Sequence, residues 1–521
     1  MMRKRLLAML LVLVLSFCQA AVVFASEVPQ QKAGLETEEE SGGELSVLEI
    51  GDYLRQGQTE EIVEKLEMPI VSSTQFFYSS AAHAKDGLRV EWYDDGAARQ
   101  ISVLCEDNKT VSIDGIRCGM DKEQVRRILK AAGYLPPQLT GGGETGASYE
   151  EYCDSRPDFF FVLDLYYDAD GILEGFYWNN YSQGDILREP LSDVTRSDWF
   201  CGAVTYVYNN WLMTGLGDFV FGPGEPLARA QFAVIIHRME NSPQTEYFSA
   251  FPDVEDEQWY TEAILWANKN KIVTGYANGR FGPADLITRE QMAVMMYRYA
   301  KTKGYDTQAR AELSGYNDVS LVSAFAKEAM EWCVAEGIIS GKDYGTRLDP
   351  QANAARAECA AIIARFVKKY SETEIPEKLD YEKIYGPLVD MCANSYGEYA
   401  KYNTYFLYDI NHDGVKELLL QEGTCEADYL YYIYTIEKGR SICLGYTGGG
   451  WTMFYKDESG GKEDYILRLS AHMGYERIEK VWIDSFEVKY QVLSESETEG
   501  EYYSNPYPLE AHYVTDKTGL R

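Results

Sequence analysis

The sequence predicts a multidomain protein in which a module of helical repeats lies between an N-terminal α+β domain and a C-terminal, β-rich α+β domain. The chain has 521 residues, which corresponds to about three or four domains at roughly 100–200 residues each. A segment in the middle of the chain recurs three times with helical hydrophobic periodicity. Both flanking regions instead alternate apolar and polar residues between turn signals, which indicates strands.

The charge balance excludes some classes of function. The chain carries 49 Lys and Arg against 82 Asp and Glu, a formal net charge of −33. Coating nucleic acid or anionic lipid requires a positive surface, so neither partner is expected. An anionic partner must therefore bind at a local site. The repeat region is the least acidic part of the mature chain per residue.

The N-terminus predicts export. Met1 to Arg5 is basic, Leu6 to Leu15 is almost wholly aliphatic, and Val23 to Ala25 suits cleavage. Residues 1–25 are therefore predicted to be a secretory signal peptide, and residues 26–44 an acidic linker. The apolar stretch is short for a spanning helix, so a retained anchor and a lipid on Cys18 are the less favoured alternatives. No membrane contact is expected after cleavage.

Cysteine and histidine usage predicts no catalytic constellation. The chain has 10 cysteines, one of them in the signal peptide, and no C-x-x-C pair. This spacing is typical neither of a disulfide framework nor of a zinc site, and most cysteines are expected to be small buried hydrophobes. The five histidines are scattered. We therefore assign no catalytic residue, and the chain is more simply explained as a non-enzyme.

The internal repeat divides residues 191–370 into units at 191–245, 246–310 and 311–370. Each unit opens on Asp-Val and continues through an apolar segment, a Gly-containing turn and a second apolar segment. The second segment follows an i, i+3, i+4, i+7 pattern, for example in Phe232, Ile235, Ile236 and Met239. Each unit is therefore predicted to be helix, Gly/Pro-rich loop, helix. One unit is too small to bury both apolar faces alone, so three are expected to share a core.

An arginine recurs at the start of each second helix. Thr288 and Gln291 form a capping-box signature that places Arg289 in the first helical turn. A cation there opposes the helix dipole by about 0.3–1 kcal/mol, so helix propensity does not explain it. Backbone N–H groups and a guanidinium can together bind a carboxylate. The alternative is that each Arg pairs with an acidic residue of a neighbouring unit.

These residues resemble a known family. Phe251 to Ala300 resembles a surface-layer homology (SLH) repeat along its whole length, and 191–240 and 316–370 are similar to weaker copies. The resemblance implies an α-helical pseudo-threefold SLH module that attaches exported proteins to secondary cell-wall polysaccharide, often through a pyruvylated sugar held between repeats. The polysaccharide-binding residues that it implies are Arg229, Arg289, Arg356, Trp199, Trp259, Asp193, Asp253 and Asp318.

Some roles within that set stay open. The tryptophans either stack on sugar faces or fill the core, and the aspartates either orient ligand hydroxyls or cap the first helix. The first repeat departs from the family in having Ala228 before its Arg and Gln231 where Glu is common. The third repeat has Ala324 at the Trp position and Ala355 before its Arg. The second repeat is therefore the first candidate for binding.

The N-terminal flank, residues 45–190, has the pattern of an α+β domain with a possible tandem helix-hairpin repeat. Its helices and hairpin strands are predicted at Gly57–Leu66, Leu88–Tyr93, Gln100–Leu104, Asp121–Ala132, Phe159–Tyr167 and Leu173–Trp178. Ile113 to Tyr134 is weakly similar to the helix of tandem αβ modules in exported lipoproteins and β-lactamase-inhibitor-like proteins. That similarity implies a binding or inhibitory module.

The C-terminal flank, residues 379–521, follows a linker at 371–378 and is predicted to be a β-rich α+β domain. Its strands are predicted at Tyr405–Tyr408, Glu417–Leu420, Tyr429–Ile436, Tyr465–Leu469 and Val481–Tyr490. A loop between the first two strands resembles the Asp-rich calcium hairpins of extracellular domains. Its candidate Ca²⁺ ligands are Asp409, Asn411, Asp413, Val415 and Glu417. An ordinary acidic turn is the alternative.

Together these observations predict an exported bacterial surface protein, held non-covalently by its SLH repeats to wall polysaccharide that is often pyruvylated. Two alternatives remain for the flanks. One is an extracellular hydrolase that the repeats merely tether, and the other is a binding or inhibitory module.

Overall fold

The computed structural model describes the chain from residue 47 onward, with gaps. The described residues are 47–56, 58–75, 79–94, 99–137, 139–142, 147–156, 159–180, 191–217, 219–343, 345–370, 379–425, 428–449, 451–457, 459–472, 475–497 and 507–521. The predicted signal peptide, the acidic linker and the linker at 371–378 lie outside them. Within these residues the protein is multidomain, with helices and several antiparallel sheets.

The N-terminal flank contains an eight-stranded antiparallel sheet. Its strands are β2 (Ile70–Gln75), β3 (Ser79–Lys85), β4 (Leu88–Asp94), β5 (Arg99–Glu106), β7 (Leu139–Gly142), β8 (Ser148–Arg156), β9 (Phe159–Tyr167) and β10 (Leu173–Asn180). The spatial order is β2-β3-β4-β5-β10-β9-β8-β7. Two four-stranded meanders therefore meet where β5 pairs with β10. The predicted hairpins are present.

Short helices accompany each meander. They are α1 (Gly51–Arg55), α2 (Thr59–Lys65) and α3 (Lys122–Ala131). Helix α3 begins after Asp121, whose carboxylate accepts a hydrogen bond from the Gln124 backbone N–H at 2.9 Å. It packs Val125 and Leu129 into the core of the flank. A separate pair of two-residue strands, β1 (Leu48–Glu49) and β6 (Val111–Ser112), is parallel.

The three repeats contain the predicted pairs of helices. The pairs are α4 (Cys201–Asn209) with α5 (Arg229–Met239), α6 (Thr261–Lys269) with α7 (Arg289–Lys303), and α8 (Lys327–Ala335) with α9 (Arg356–Tyr370). The apolar faces of all six helices belong to one hydrophobic cluster. This sharing is expected because a single helix pair has too little surface to bury its own apolar stripe.

Backbone hydrogen bonds connect the loops of the three repeats in a closed cycle. The N–H of Leu227 donates to Ala354 at 3.0 Å, that of Ala354 to Ile287 at 3.0 Å, and that of Ile287 to Leu227 at 2.9 Å. Each repeat therefore touches both others just before its second helix. This cycle brings the start of α5, α7 and α9 to one end of the repeat region.

The C-terminal flank consists of helix α10 (Tyr381–Ser395) and two antiparallel sheets. The first sheet has the order β14-β13-β12-β11-β19, and the second the order β15-β16-β17-β18. These strands are β11 (Thr404–Tyr408), β12 (Glu417–Glu422), β13 (Leu430–Glu437), β14 (Arg440–Thr447), β15 (Trp451–Lys456), β16 (Ile466–His472), β17 (Tyr475–Asp484), β18 (Glu487–Glu497) and β19 (His512–Tyr513).

One strand prediction in this flank is wrong. Val481–Tyr490 is not a single strand but the turn region of the β17–β18 hairpin, in which Asp484 pairs with Glu487. Ser485 adopts a left-handed backbone with φ 58°, which reverses the chain without the Gly or Asn that marks most such turns. Strand β18 extends through the acidic residues that follow Ser494 as far as Glu497.

The repeats and the C-terminal flank share a core. Tyr206 of α4 stacks on Phe486 with ring centroids 4.4 Å apart, and both lie in the same hydrophobic cluster. Gly202 makes this approach possible, because a Cβ there would lie 2.3 Å from the Phe486 carbonyl oxygen. Arg196 of the first repeat also binds Glu422 of β12 through two hydrogen bonds of 2.6 and 3.0 Å.

None of the helices among the described residues is both long and apolar enough to cross a membrane.

Candidate functional site

The recurring arginines are the first residues of α5, α7 and α9, as the capping-box pattern predicts. Thr288 caps α7, since its hydroxyl accepts from the Gln291 N–H at 3.3 Å while the Gln291 side chain accepts from the Thr288 N–H. In the first repeat Ala228 has no acceptor, but the Gln231 side chain still accepts from the Ala228 N–H. All three arginines are buried.

Each arginine faces the next repeat. The Nε of Arg229 donates to the Phe281 carbonyl at 3.1 Å, and its Nη1 donates to the Gln291 side-chain oxygen at 3.1 Å. Its guanidinium lies over the rings of Tyr276 and Phe281, 4.6 and 4.9 Å from their centroids. Burial lowers the pKa of Arg229. Among the described residues no carboxylate lies within salt-bridge distance of it.

Arg289 donates to the equivalent loop carbonyl in the third repeat, but a different type of side chain lies opposite it. Its Nε donates to the Leu348 carbonyl at 2.8 Å and its Nη2 to the Ser340 carbonyl at 3.1 Å. Its Nη1 lies 3.5 Å from Glu358, which is also paired with Lys342 at 2.6 Å. This junction therefore contains its own carboxylate.

Arg356 completes the cycle by reaching the first repeat. Its Nε donates to the Phe221 carbonyl at 2.8 Å and its Nη2 to the Thr214 carbonyl at 2.6 Å. Its guanidinium lies over the Phe221 ring at 4.7 Å. Burial lowers the pKa of Arg356. A groove of about 500 Å³ opens beside it, lined also by Asp193 and Gln231.

The three aspartates hold the loops that receive these arginines. Each carboxylate accepts two successive backbone N–H groups: Asp193 from Phe221 and Gly222 at 2.8 and 2.7 Å, and Asp253 from Phe281 and Gly282 at 2.9 and 2.8 Å. Partial burial works against ionisation, but these donors hold the pKa of Asp253 below its usual value. Asp318 does the same in the third repeat with Leu348 and Asp349.

This geometry resolves one alternative for the aspartates. None of them is the N-cap of a first helix, because those positions are Phe200, Tyr260 and Ala326. Each Asp instead fixes the peptide whose carbonyl accepts from the Arg of the preceding repeat. The aspartates are therefore positioning residues for the arginines.

The tryptophans do not fill the core. Trp199 is 53 % exposed and Trp259 is 65 % exposed, each packed edge-on against the following aromatic residue, Phe200 or Tyr260. In the third repeat, where Ala324 occupies the Trp position, Phe325 is 63 % exposed instead. Every repeat therefore presents a large aromatic side chain to solvent, which suits stacking on sugar rings.

Sequence reasoning missed the residue that faces each arginine. That residue lies two positions after the Arg of the next repeat: Gln291 faces Arg229, Glu358 faces Arg289, and Gln231 lines the groove beside Arg356. The sequence does show Gln where the family commonly has Glu at this position. The meaning of that difference could not be seen without the spatial order of the repeats, which decides which arginine the side chain faces.

The Asp-rich loop between β11 and β12 is closed by its own hydrogen bonds. Asp409 accepts from the Gly414 N–H at 3.1 Å, and Asp413 accepts from the Val415 N–H at 3.0 Å. The buried Glu417 accepts from the Ile410 N–H and the Thr435 hydroxyl. Burial raises the pKa of Glu417 to about 8. Among the described residues no group of three or more His, Cys, Asp or Glu is placed to hold a metal ion.

The most deeply buried carboxylate of the N-terminal flank is Glu150, which is fully neutralised by neighbours. It accepts from Arg126 at 2.9 Å, lies 3.3 Å from Lys122, and accepts from the Tyr152 hydroxyl at 2.7 Å. An acid or base catalyst needs a free proton site near substrate, whereas this carboxylate is engaged on both oxygens. Glu150 therefore serves to hold the sheet and α3 together.

Three linked helix–loop–helix units with a buried arginine at each junction define a repeat-built binding module. Residues 190–233, 250–293 and 315–360 match the family model of the S-layer homology domain. The chain therefore contains three S-layer homology domains, and these indicate a cell-wall-associated protein of a bacterial surface.

The curated relatives each match about a third of this chain. An endoglucanase of Bacillus sp. (strain KSM-635) is 31 % identical over 34 % of this chain and 19 % of that protein. The cellulosome-anchoring protein of Acetivibrio thermocellus is 30 % identical over 30 % of this chain and 35 % of that protein. S-layer protein EA1 of Bacillus anthracis is 29 % identical over 36 % of this chain and 21 % of that protein. The chain spans well under half the length of each.

A solved undecaheme cytochrome from the S-layer of Carboxydothermus ferrireducens is 15 % identical, covering 53 % of this chain and 38 % of that chain. Its TM-score of 0.18 is too low to indicate a shared fold.

Proposed function

We propose that this protein is held non-covalently to an acidic secondary polysaccharide of the cell wall by its three S-layer homology domains. The observation that carries the proposal is the trio of buried arginines at the junctions between domains, two of which, Arg229 and Arg356, form no ion pair with a carboxylate of the described residues. The relatives support it, since they include a cellulosome-anchoring protein and an S-layer protein.

The proposal includes a pseudo-threefold arrangement of the domains. Equivalent hydrogen bonds support it: the N–H of each junction arginine donates to the loop of the next repeat, at Asp285, Ala352 and Glu225. The Nε contacts to Phe281, Leu348 and Phe221 repeat the same pattern in the side chains. Three similar grooves would result, which differ in the residue opposite the arginine.

The ligand chemistry follows from that difference. A carboxylate on the polymer, such as that of a pyruvyl ketal, would bind the guanidinium of the arginine. At the Arg229 and Arg356 junctions it would meet Gln291 and Gln231, which are neutral. Asp193 and Glu225 also line the groove beside Arg356, and the Asp193 carboxylate is already bound by two backbone N–H groups. At the Arg289 junction it would meet Glu358 and be repelled. The preference for the second repeat that the sequence suggests is therefore replaced by a preference for Arg229 and Arg356.

The test is co-sedimentation of the full chain with protein-free cell wall. We expect saturable binding that is lost when the secondary polysaccharide is chemically released from the wall. The double variant Arg229→Ala/Arg356→Ala should bind at least about tenfold more weakly, which corresponds to about 1.4 kcal/mol. Lys301→Ala, at an exposed lysine in the last turn of α7, away from the junction arginines, is the control for lost positive charge.

Because buried arginines also hold the loops, folding of each variant is checked by circular dichroism. The double variant Arg229→Lys/Arg356→Lys, which keeps the charge, provides a second measurement. A correctly folded Ala double variant that binds as well as the unaltered chain would contradict the assigned site. Equal binding to wall without polysaccharide would contradict the proposed partner.

A separate proposal concerns calcium at the Asp-rich loop. Asp409 Oδ1 is buried and finds no hydrogen-bond donor among the described residues, which fits a site that a cation would complete. Asp409, Asn411, Asp413 and the Val415 carbonyl have the chemistry that Ca²⁺ prefers. Glu417 fits less well because its carboxylate is engaged inside the sheet.

The calcium proposal is tested by melting the full chain with Ca²⁺ and with an excess of chelator. We expect chelation to lower the melting temperature by a few degrees, since a bound ligand stabilises the folded state. Asp409→Asn should abolish the difference, whereas Asp170→Asn, in the exposed turn before β10, should not. An unchanged melting curve for the unaltered chain removes Ca²⁺ from the account.

A further inference from the structure

A second cleft, of about 590 Å³, lies where the repeats meet both flanking domains. We call it the junction cleft and define it by Lys130, Trp211, Arg238, Lys438 and Arg440, which line it. It lies at the C-terminal ends of α5, α7 and α9, whereas the junction arginines start these helices. Its volume is within the roughly 300–1,000 Å³ of small-molecule sites.

The junction cleft is positively charged in a chain that is otherwise strongly acidic. Five cationic side chains line it against two carboxylates, Glu240 and Glu437. Glu240 is already neutralised, because it lies 2.9 Å from Lys303 and accepts from the Tyr299 hydroxyl at 2.6 Å. The remaining cations therefore exceed the remaining carboxylates. Burial and the neighbouring Arg238 and Lys438 lower the pKa of Lys130, as expected for a crowded cationic site.

Arg238 is one of the cations of the cleft that form no ion pair among the described residues, and the repeats provide its controls. The same helical position is Arg298 in the second repeat and Arg365 in the third. Arg365 pairs with Glu487, and Arg298 lies near the Ile272 carbonyl and the Thr274 hydroxyl. Arg238 has one long hydrogen bond, 3.4 Å to the Leu212 carbonyl. Within the part of the chain that the structure describes, no carboxylate forms an ion pair with it.

Helix dipoles account for part of this charge. Lys130, Arg238 and Lys303 lie in the last turns of α3, α5 and α7, where a cation is favoured by about 0.3–1 kcal/mol. No helix dipole favours the charges of Lys438 and Arg440, since these residues lie where β13 turns into β14. Lys438 contacts the neutral Asn210 side chain, and Arg440 donates to the Gly133 carbonyl. Domain docking therefore brings two cations and the carboxylate of Glu437 to the cleft.

The other groups in the junction cleft suit a sugar. Asn209 lines it, and its side-chain oxygen is buried with no hydrogen-bond donor among the described residues. Such an acceptor can bind a hydroxyl group. The ring of Trp211 also lines the cleft, and so does that of Tyr206, one face of which is stacked on Phe486. The cleft thus combines cations, an unpaired acceptor and aromatic surface.

We propose that the junction cleft is a second binding site, separate from the domain junctions, for a sugar that carries a carboxylate or phosphate group. The cations bind the anionic group, Asn209 accepts a hydroxyl proton, and an aromatic ring packs on the sugar face. Because residues from the repeats and from both flanks form the site, ligand binding there links the three parts of the chain.

The test is isothermal titration of the full chain with glucuronic acid, glucose 6-phosphate, inorganic phosphate and glucose. We expect saturable binding of one or both anionic sugars, and binding of glucose at least about tenfold weaker. Glucuronic acid distinguishes a carboxylate ligand from the phosphate ligand that glucose 6-phosphate represents. If inorganic phosphate binds as tightly as glucose 6-phosphate, the sugar ring contributes nothing to binding and the proposal of a sugar ligand is overturned.

Variants locate the site. Lys130→Ala/Lys438→Ala and Arg238→Met should each weaken binding at least about tenfold, whereas Arg298→Met, the matched position outside the cleft, should not. Arg229→Ala/Arg356→Ala should also leave it unchanged, which separates this site from wall attachment. The lysine variants lie at the cleft rim and keep the test valid if Arg238→Met fails to fold. Absence of saturable binding by either anionic sugar, or binding unaffected by the lysine variants, overturns the proposal.

A second, independent observation concerns two thiols in the N-terminal flank. Cys105 of β5 and Cys118, just after β6, are both buried, and their Sγ atoms are 3.9 Å apart. A disulfide requires about 2.05 Å, so a shift of under about 2 Å would close the bond. The sequence analysis predicts most cysteines to be small buried hydrophobes, because their spacing along the chain is not typical of a disulfide framework.

We propose that Cys105 and Cys118 form a disulfide after export, which rests on the proposed surface location. The two thiols lose two protons and two electrons, and the disulfide of a thiol–disulfide oxidant is reduced to two thiols. One thiolate attacks the disulfide of the oxidant and releases its first thiol, and the other cysteine then displaces the second thiol from the mixed disulfide.

The test is differential alkylation and peptide mass mapping after refolding with oxidised glutathione, which makes the outcome independent of export. We expect a linked pair of peptides containing Cys105 and Cys118, while the buried Cys333 and Cys359 stay reduced. Cys118→Ser should leave Cys105 alkylated. Complete alkylation of both thiols in the oxidised, folded chain overturns the proposal.

Discussion

The Arg229 and Arg289 junctions differ in one side chain. Both arginines are buried at the start of a helix and donate through Nε to a loop carbonyl of the next repeat. Arg229 faces Gln291, and Arg289 faces Glu358. The same repeat position therefore places either a neutral amide or a carboxylate opposite a buried arginine. Under the proposed function, this difference decides which arginine is available to the polysaccharide, while the backbone contacts stay the same.

The largest expected effect concerns the structural role of Arg289 and is a loss of folding stability. Arg289→Met leaves the carbonyls of Leu348 and Ser340 without their donor and leaves Glu358 with only Lys342. Unpaired buried groups cost about 1–3 kcal/mol each, so we expect the free energy of unfolding to fall by about 3 kcal/mol. Urea denaturation measures this. Exposed Arg347→Met should change it by less than about 0.5 kcal/mol, and an equal loss in both variants would contradict a structural role for Arg289.

Adding a carboxylate opposite Arg229 and Arg356 should make these two junctions resemble the Arg289 junction, in which the arginine is paired with a glutamate. In Gln231→Glu/Gln291→Glu, both substitutions keep the hydrogen-bonding reach of the side chain toward the N-cap, so the helices should persist. The new charges would face Arg356 and Arg229 and repel an acidic polymer. We expect wall affinity to fall about tenfold, or about 1.4 kcal/mol. Gln351→Glu, at an exposed loop position, controls for added charge, and equal losses in both would point to long-range repulsion.

The reverse change should make Arg289 available to a ligand. Glu358→Gln removes the partner of Arg289 and Lys342 and leaves both cations available to a ligand. We expect wall affinity to rise about threefold, which corresponds to about 0.7 kcal/mol. Sedimentation at several salt concentrations measures this change. Glu331→Gln on α8 is the control, and a decrease in affinity for Glu358→Gln would mean that the carboxylate itself contributes to binding.

Much of the repeat region could be predicted from the sequence because its signals are local. Helical periodicity and the Thr288–Gln291 capping box place each arginine correctly at a helix start. The side chain opposite each arginine could not be predicted, because it depends on how the repeats connect in space. The same limit applies to the aspartates, whose partners lie in a distant loop of the same repeat.

The flanks show where local signals stop. Hairpin strands such as Leu88–Asp94 follow from alternating residues, but the β17–β18 turn has no Gly or Asn to mark it. Docking of the C-terminal flank onto α4 depends on Gly202, whose meaning appears only when Phe486 lies against it. The junction cleft and the Cys105–Cys118 pair are formed by tertiary packing, so no sequence spacing indicates them.

The most direct test of the central claim is the wall affinity of three single variants, Arg229→Ala, Arg289→Ala and Arg356→Ala. Each is measured on the folded full chain with purified wall polysaccharide. We predict that Arg229→Ala and Arg356→Ala each weaken binding about fivefold or more, about 1 kcal/mol, and that Arg289→Ala weakens it less than about twofold. A loss for Arg289→Ala equal to or larger than the other two would contradict the account.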